Sequence, residues 1–498
     1  MQLFDLLRGH GDRVALTADG RDYTYGSLAD ASARVAAGLR GRGLQPGDRV
    51  AFFLPNHAEL AIAYFGCFAA GLVAVPLNPR YRGPEVEYAV ADCTPRVLIA
   101  DATLLDRLDG SRLAALGVGD VLVVGDRAPA GTHPFDALLA AAPLAAPAAV
   151  AAGAPAVVLY TSGSTGKPKG VVHTHASLRH TARHQMVSQV LEARDVQLAW
   201  MGIAYIAAFA GQLLTSLHVG GRVVLLPHFD GDAVVHAIAR HGATRLQTGP
   251  ADLRDLLGQP SPAPEALRTL RCCIAGGERI HDELHARFAA WAGLPLTEAC
   301  GMTEAYNYAM NPPFGPKRLG SFGLPTDGVT LRLVGAGGRD ADEGEVLLRS
   351  DAMATGYWNN PAATADALRD GWLVTGDLAR RDADGWYWFV GRRKEIIIRG
   401  ASNIAPGEIE SVLVQHPAVA AAGVVGAPDA HDGHVPVAFV QLHAGATVSV
   451  DALRAFAAER LAEYKVPVRI SVLDALPLNV NGKVDRSALA ALVAPAPR

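Results

Sequence analysis

The chain has 498 residues, of which 50% are hydrophobic and 19% charged, so it is long enough for two or more globular domains. Its 45 basic and 49 acidic residues give a net charge of −4, which provides no overall field to attract nucleic acid or an anionic membrane. The five cysteines form no C-x-x-C pair, which favours reduced thiols in a cytoplasmic protein over a disulfide framework. The N-terminal residues lack the pattern of a signal peptide, and we expect no membrane span.

The N-terminal part of the chain alternates between helical and strand patterns. Apolar spacing predicts helices over 25–42 and 58–71, and compact apolar runs predict strands over 49–54 and 72–76. Strands that alternate with helices indicate βαβ units and therefore parallel sheets. The Ala/Pro-rich segment 128–155 is predicted to be a linker.

A second alternating series occupies the middle of the chain. Strands are expected at 222–226 and 271–275, with a helix over 232–241 between them. After Gly335 the sequence becomes strand-rich, and the Asp-Gly turn within 383–385 is typical of a hairpin.

The last hundred or so residues have an α+β pattern of their own, enough for a small domain. Helices are predicted over 406–415 and 451–464, the second capped by Asp451, with strands over 419–425 and 435–442.

The segment from Tyr160 to Val171 follows an apolar strand and is rich in Gly, Ser, Thr and Lys. Closely spaced backbone N–H groups, hydroxyls and ammonium groups suit the oxygens of a polyphosphate. It is not a Walker A loop, because Pro168 follows Gly166-Lys167 where that pattern requires Ser or Thr. An ordinary flexible surface turn has a similar composition, so the segment alone leaves both interpretations open.

Five further segments combine turn residues with charged or hydroxyl side chains, and each alone also fits a strand-end turn or a solvated surface. They are 276–278 (Gly-Gly-Glu), 298–304 (Glu-Ala-Cys-Gly-Met-Thr-Glu), 375–377 (Thr-Gly-Asp), 391–395 (Gly-Arg-Arg-Lys-Glu) and 479–483 (Asn-Val-Asn-Gly-Lys). In this order, and together with the Gly/Ser loop, they closely resemble the adenylate-forming superfamily of acyl-CoA synthetases, carrier-protein adenylation domains and luciferases. The resemblance extends from the region of Tyr25 to Lys483.

The resemblance implies an AMP-forming ligase that joins ATP to a carboxylic acid, releases pyrophosphate and transfers the acyl group to coenzyme A. The implied fold is α/β, with a large N-terminal domain (1–391) of βαβ subdomains plus a small β-barrel-like region. A small mobile α+β C-terminal domain (392–498) would follow, rotating about a hinge near Lys394 between adenylation and thiol transfer.

The resemblance also implies roles for individual residues. Those expected to hold the β- and γ-phosphates are Thr161, Ser162, Gly163, Ser164, Thr165 and Lys169. Those expected to border the adenine are Gly276, Gly277, Glu278, Cys300, Gly301 and Met302. Thr303 would contact the α-phosphate, and Glu304 would hold Mg²⁺, which neutralises charge on the phosphate oxygens.

Six more positions follow from the resemblance. Asp377 would accept both ribose hydroxyls and Arg392 would reach the ribose or the phosphate. Lys483 is the expected catalytic lysine, which would stabilise charge between the attacking carboxylate and the α-phosphate. Tyr205 and Gly249 are assigned to the acyl pocket or its gate, and Gly400 to the channel of the acceptor.

Two positions depart from the common pattern of the family. Tyr205 stands where family members usually have a His, and it removes a group that titrates near neutrality. Cys300 replaces the aromatic residue that usually stacks on adenine, at an expected cost of about 1 kcal/mol in stacking. These departures bear on the substrate and the acceptor rather than on adenylation.

The expected acid is a medium aliphatic or aryl acid, and the chain is expected to act as a monomer or homodimer without nucleic acid. One alternative keeps adenylation but uses an amine or a carrier-protein thiol as acceptor, or activates an unusual oxyanion such as nitrite. A silent nucleotide-binding homologue is a third reading, disfavoured because Lys483, Glu304 and Asp377 are all present. His173 and His175 have no Cys or acid at ligand spacing, which argues against a structural metal there.

Overall fold

A computed structural model describes residues 2–161, 168–259, 262–277, 280, 282–335, 337–399, 402–429, 432–479 and 482–493. The chain forms two compact units. The larger unit comprises Met1–Leu331 and Leu348–Leu373, and the smaller unit comprises Arg332–Leu347 and Val374–Arg498. The smaller unit thus takes in more of the chain than the C-terminal domain expected to begin at 392, and that boundary stays a prediction.

The strands, in chain order, are β1 (Val14–Ala18), β2 (Arg21–Thr24), β3 (Arg49–Phe53), β4 (Val73–Pro76), β5 (Val97–Asp101), β6 (Asp120–Val124), β7 (His133–Pro134), β8 (Pro155–Thr161), β9 (Lys169–Thr174), β10 (Val196–Ala199), β11 (Arg222–Leu225), β12 (Arg245–Thr248), β13 (Cys272–Gly276), β14 (Leu296–Gly301), β15 (Asn307–Met310), β16 (Leu324–Pro325), β17 (Thr330–Val334), β18 (Glu343–Arg349), β19 (Gly356–Tyr357), β20 (Leu368–Arg369), β21 (Trp372–Arg381), β22 (Tyr387–Arg392), β23 (Ile397–Arg399), β24 (Ser402–Ile404), β25 (Val419–Asp429), β26 (Gly433–Leu442) and β27 (Arg469–Leu473).

The α-helices are α1 (Tyr25–Gly41), α2 (Ala58–Ala70), α3 (Gly83–Cys93), α4 (Gly110–Ala115), α5 (Asp136–Leu139), α6 (His175–Ser188), α7 (Ile206–Ala208), α8 (Thr215–Val219), α9 (Gly231–His241), α10 (Pro250–Gly258), α11 (Pro264–Leu267), α12 (Asp282–Ala292), α13 (Pro361–Ala367), α14 (Pro406–Leu413), α15 (Val450–Ala458) and α16 (Arg486–Ala491). A π-helical stretch, Phe209–Leu214, joins α7 to α8. No helix in the described part of the chain is both long enough and apolar enough to cross a membrane.

Two large sheets form the larger unit, and the predicted α/β class is confirmed. The nine-stranded sheet has the order β16-β15-β14-β13-β12-β10-β11-β1-β2, and the eight-stranded sheet has the order β19-β9-β8-β4-β3-β5-β6-β7. Pairing is parallel from β14 to β1 and from β8 to β7. The remaining strands, β15, β16 and β2 in the first sheet and β9 and β19 in the second, pair in antiparallel fashion. Strands such as β4 and β5 are buried along their whole length, as expected for parallel strands covered on both faces.

The segment 128–155, predicted to be a linker, is partly structured and packs against the core. It contains β7 and the short α5, in which Leu138 is fully buried. A Cβ at Gly38 of α1 would lie 2.8 Å from Leu138 Cδ2, so only glycine permits this approach. The linker prediction was therefore wrong for this part of the segment.

The predicted helix over 451–464 is shorter than expected and has a different cap. It begins at Val450, ends at Ala458, and is capped by Ser449, whose hydroxyl oxygen accepts from the Ala452 N–H at 3.1 Å. Asp451 lies in the first turn, where its charge complements the positive end of the helix, but it is not the N-cap.

The smaller unit contains a β-sheet that packs with helices around an apolar core of its own. Strands β24-β23-β26-β25 pair in this order, and β27 runs parallel to β26. Its core includes Ile397, Ile409, Leu413, Val424 and Leu453, which come from strands and from α14 and α15. In a separate five-stranded sheet of order β17-β18-β21-β20, β22 also pairs with β21.

Candidate active site

The carboxyl ends of four neighbouring parallel strands define one edge of the nine-stranded sheet. Strands β10, β12, β13 and β14 pair in parallel in this order. Gly249 directly follows β12, Gly277 follows β13 and Met302 follows β14. Because parallel strands end at the same edge, these sequence-predicted positions are gathered at the edge where α/β sheets bind ligands.

Two glycines in these turns are required by close backbone packing. A Cβ at Gly276 would overlap the Ala299 carbonyl oxygen on β14. A Cβ at Gly301 would lie 2.8 Å from the Tyr306 carbonyl oxygen. Gly277 adopts a φ of +90°, which side chains of L-residues rarely tolerate. These glycines therefore allow the backbone at this edge of the sheet to pack closely.

The Gly/Ser loop connects the antiparallel strands β8 and β9. Thr161 ends β8 and pairs directly with Lys169, the first residue of β9. The hairpin therefore holds the two ends of the loop together. The predicted phosphate-binding residues Ser162, Gly163, Ser164 and Thr165 lie outside the described residues, as do Glu278 and Gly400.

Strand β9 also positions the turn that carries Thr303. His173 on β9 is fully buried, and its Nε2–H donates to the Thr303 carbonyl oxygen at 2.8 Å. Burial lowers the pKa of His173 to about 4, so the imidazole is neutral at pH 7 and carries one N–H donor. Sequence analysis assigned no functional role to His173, which in the structure is a positioning residue for Thr303.

Glu304 is held by the segment that contains β19. The Tyr357 hydroxyl donates to Glu304 Oε1 at 2.6 Å, and the Ala354 N–H donates to the Glu304 carbonyl oxygen at 2.7 Å. The Lys169 ammonium lies 5.0 Å from the centre of the Tyr357 ring. Tyr357 therefore brings the predicted phosphate-binding lysine and the predicted metal-binding carboxylate to the same place.

Tyr357 remains a neutral donor to this carboxylate. Burial, and then the neighbouring Glu304 charge, raise the pKa of Tyr357 well above its usual value. Sequence reasoning missed this residue, although Thr355-Gly-Tyr-Trp358 places an aromatic pair after a glycine. Tyr357 pairs with Val171 of β9, which explains how it reaches a turn that is distant in sequence.

Cys300 has a specific partner at the position where the family usually has an aromatic residue. Its thiol donates to the hydroxyl oxygen of Tyr308 at 3.0 Å, and Tyr308 is fully buried. Cys300 itself is only partly buried. The substitution thus replaces an aromatic face with a small thiol that is oriented by the neighbouring strand β15.

Tyr205 is the N-cap of α7, the short helix that precedes the π-helical stretch. Its backbone N–H donates to the Gly202 carbonyl oxygen at 2.9 Å, and burial raises the pKa of its phenol. Tyr205 is therefore neutral in the range in which a His would titrate. The predicted acyl gate therefore carries a phenol that stays neutral, where a His would change its charge near neutral pH.

The π-helical stretch packs tightly against Tyr306. A Cβ at Gly211 would overlap the Tyr306 hydroxyl, which accepts a hydrogen bond from Gln247 Nε2 at 2.6 Å. The Thr215 hydroxyl donates to the Ala210 carbonyl oxygen, five residues back, at 2.7 Å. Such π stretches are frequent at functional sites, and this one begins four residues after Tyr205.

Asp377 and Arg392 lie directly opposite each other on β21 and β22 of the smaller unit. Arg392 Nε lies 3.2 Å from Asp377 Oδ1 as an ion pair. The Asp377 N–H donates to the Thr375 hydroxyl oxygen at 3.0 Å. The Asp377 side chain is buried and that of Arg392 is half exposed, so the ion pair joins a buried carboxylate to a guanidinium that solvent reaches.

Asn479 holds the backbone of Lys483 through two hydrogen bonds. The Asn479 N–H donates to the Lys483 carbonyl oxygen at 2.7 Å, and the Lys483 N–H donates to Asn479 Oδ1 at 3.2 Å. After the turn, Arg486 Nη2 donates to both carboxylate oxygens of Glu410 at 2.8 Å. This pair fixes the turn to α14. Lys394, the predicted hinge, lies in the exposed turn after β22.

Because two histidines of the larger unit are buried, we expect acid to destabilise this unit. Burial lowers the pKa values of His173 and His175 to about 4, so between pH 6.5 and 4 the unfolded chain binds protons that the folded chain does not. Their contribution is fully present above pH 6.5 and is lost as the pH falls through this window. Each histidine should lower the free energy of unfolding by about 2 kcal/mol between pH 7 and pH 5.

The measurement is the change in apparent unfolding free energy between pH 7 and pH 5, from urea denaturation of wild type and a His175→Leu variant. His175 is buried beside Phe68, with ring centres 5.7 Å apart, so an apolar replacement fits its surroundings. The variant should lose about half of the acid sensitivity that the two histidines share. An unchanged pH dependence would contradict the assignment.

The chain was compared with known proteins. The model of the AMP-binding enzyme family matches residues 3–358, and the model of its C-terminal domain matches residues 408–483. An indoleacetate–CoA ligase from Aromatoleum aromaticum is 34% identical over 97% of this chain and 95% of its own length. A feruloyl-CoA synthase from Amycolatopsis is 35% identical over 95% of this chain and 94% of its own length. The ATP-bound crystal structure of MatB from Rhodopseudomonas palustris is 30% identical, covers 99% of both chains and has a TM-score of 0.91. The chain therefore belongs to the AMP-binding enzyme family, the adenylate-forming ligases that its motifs resemble.

Proposed function

We propose that this chain joins an aryl or medium aliphatic carboxylic acid to coenzyme A. The chain is an ATP-dependent, AMP-forming acid–CoA ligase. In the first half-reaction a carboxylate oxygen of the acid attacks the α-phosphorus of ATP, which yields the acyl-adenylate and pyrophosphate. In the second, the thiol of coenzyme A attacks the acyl carbon, and AMP leaves as the thioester forms.

The observation that carries this function is the convergence of Lys169, Thr303 and Glu304 through Tyr357 and His173. A triphosphate needs cationic and hydroxyl donors because its charge opposes attack by a second anion. Thr161 and Lys169 would hold the β- and γ-phosphates, and Thr303 the α-phosphate.

The Glu304 carboxylate fits the Mg²⁺ that accompanies ATP. Mg²⁺ takes one or two carboxylates together with phosphate oxygens and water, and Tyr357 engages only Oε1 of Glu304 among the described contacts. When bound, the ion would neutralise charge on the phosphate oxygens. The protein's own part is to orient this carboxylate through Tyr357 and through the Ala354 N–H.

We assign the remaining roles of this proposal to groups on the smaller unit. Asp377 is buried and can accept two ribose hydroxyls, with Arg392 beside it. Lys483 would stabilise the charge that develops as the carboxylate attacks. Rotation about Lys394 would then exchange Lys483 for the segment around Gly400, which would border the path of the thiol.

An aryl or arylalkanoic acid is the substrate class that we favour. Both relatives named above act on acids with aromatic rings, as indoleacetate–CoA ligase and feruloyl-CoA synthase. In this chain, the phenol of Tyr205 and the Tyr306–Gln247 pair flank the π-helical stretch at the predicted acyl gate. These neutral groups suit an acid whose body is apolar and planar.

The test is incubation with ATP, Mg²⁺, coenzyme A and a panel that contains indoleacetate, ferulate, benzoate and octanoate. AMP, pyrophosphate and an acyl thioester should form in equal amounts, fastest with an aryl acid. ADP as product would overturn the adenylate mechanism. Parallel reactions replace coenzyme A with an amine, or the acid with nitrite; AMP release that ignores coenzyme A would instead identify a different acceptor.

A further inference from the structure

Helix α6 carries two histidines that meet an aspartate from the segment before β19. His180 Nδ1 lies 2.9 Å from Asp351 Oδ2, and His184 Nε2 lies 2.6 Å from Asp351 Oδ1. His180 and His184 are four residues apart on α6, so they project from the same face of the helix. One ligand atom from each of the three side chains lies within 4.8 Å of the other two.

A fourth residue orients the more buried histidine. His184 Nδ1 lies 2.8 Å from Asp327 Oδ2, while Nε2 points towards Asp351. Histidines that bind metals generally donate their other ring N–H to a carboxylate, which fixes the tautomer and the ring orientation. Asp327 occupies that position for His184.

The ring of His184 is also held by close packing. A Cβ at Gly328 would overlap the imidazole, and Gly328 has a φ of +69°, so only glycine fits beside the ring. The His184 side chain is 9% exposed, whereas the Asp351 side chain is 53% exposed. The cluster thus combines the buried and closely packed imidazole of His184 with the Asp351 carboxylate, which solvent can reach.

We propose that His180, His184 and Asp351 form a binding site for a divalent zinc ion, with Asp327 as the carboxylate that orients His184. Two imidazoles and one carboxylate are a ligand set that Zn²⁺ accepts, with water as a fourth ligand. The imidazoles favour zinc over Mg²⁺ or Ca²⁺, which prefer oxygen ligands. The site shares no residue with the magnesium site proposed at Glu304.

The alternative is a plain network of hydrogen bonds and ion pairs. In such a network His184 bonds to both aspartates, and no metal is needed to hold the segment 350–354 against α6. The two possibilities differ in their response to zinc. A zinc ion that binds the folded chain in preference to the unfolded chain raises the stability of the folded chain.

The experiment is a titration of the full chain with Zn²⁺ against a chromogenic chelator, together with thermal denaturation at each zinc concentration. Wild type should bind one zinc equivalent at this site and show a rise in Tm. His180→Ala and Asp351→Asn each remove a ligand at a partly exposed position, and each should lose at least about 100-fold in affinity together with the rise in Tm. Asp327→Asn should keep the stoichiometry and weaken binding about 10- to 100-fold.

A His57→Asn variant serves as the matched control. Asp19, His57 and Glu59 also place ligand atoms within 4.8 Å, but that cluster offers only one imidazole. The variant should keep the wild-type affinity and the wild-type rise in Tm. Zinc binding that survives in His180→Ala and Asp351→Asn, or that disappears in His57→Asn, overturns the proposal.

Discussion

Replacing Lys483 with Ala should slow acyl-adenylate formation by about 100- to 1,000-fold while leaving the transfer of a preformed acyl-adenylate to coenzyme A within a few-fold of wild type. Removal of one electrostatic donor aimed at developing charge typically has an effect of this size. Transfer does not pass through an attack on the α-phosphorus, so it does not need this ammonium group. The measurement uses pyrophosphate release for the first half-reaction and thioester formation from a chemically prepared acyl-adenylate for the second.

Lys465→Ala is the matched control, because it removes a lysine from the same unit. Lys465 pairs with Glu408 at 2.6 Å and has no role in either proposed half-reaction. It should leave both rates within about two-fold, as expected for a partly exposed ion pair of small energy. If Lys483→Ala reduced both half-reactions equally, the assignment of Lys483 to adenylation alone would be wrong.

Local patterns in the sequence predicted the strands, and the resemblance of ordered motifs predicted the site residues. Apolar runs indicated the strands, and the turn residues after β12, β13 and β14 were assigned because their motifs resemble those of the adenylate-forming superfamily. The contacts that orient the predicted residues could not be predicted in this way. His173 reaches Thr303 across 130 residues, and Tyr357 reaches Glu304 across 53. Such contacts depend on which strands are neighbours, and no single-sequence pattern specifies the pairing of β9 with β19.

Composition was misleading in the segment that contains α5. The Ala/Pro-rich stretch 128–155 lacks a clear period, yet Phe135 and Leu138 are both buried. One helical turn can bury two side chains without producing a detectable repeat. The cap of α15 illustrates a different ambiguity, because Ser449 and Asp451 are both good N-caps and the backbone selects the first.

Glu304→Gln should reduce acyl-adenylate formation by at least about 100-fold and raise the Mg²⁺ concentration needed for half-maximal rate. The amide keeps the size of the side chain and can still accept from the Tyr357 hydroxyl, but it has no charge with which to hold the metal. A bound ion is worth several kcal/mol of charge stabilisation, and each 1.36 kcal/mol is tenfold in rate. The measurement is the rate of pyrophosphate release at a series of Mg²⁺ concentrations.

The Tyr357→Phe variant tests the orientation of the Glu304 carboxylate without removing its charge. This variant keeps Glu304 and removes only the hydroxyl that bonds Oε1, a hydrogen bond to a charged group worth about 1.5 kcal/mol, so the rate should fall about tenfold. It should also leave the Mg²⁺ dependence nearer to wild type than Glu304→Gln does, because the carboxylate remains. Equal losses in the two variants at saturating Mg²⁺ would mean that Glu304 acts by fixing the turn through Tyr357, and the metal-binding role would have to be given to another residue.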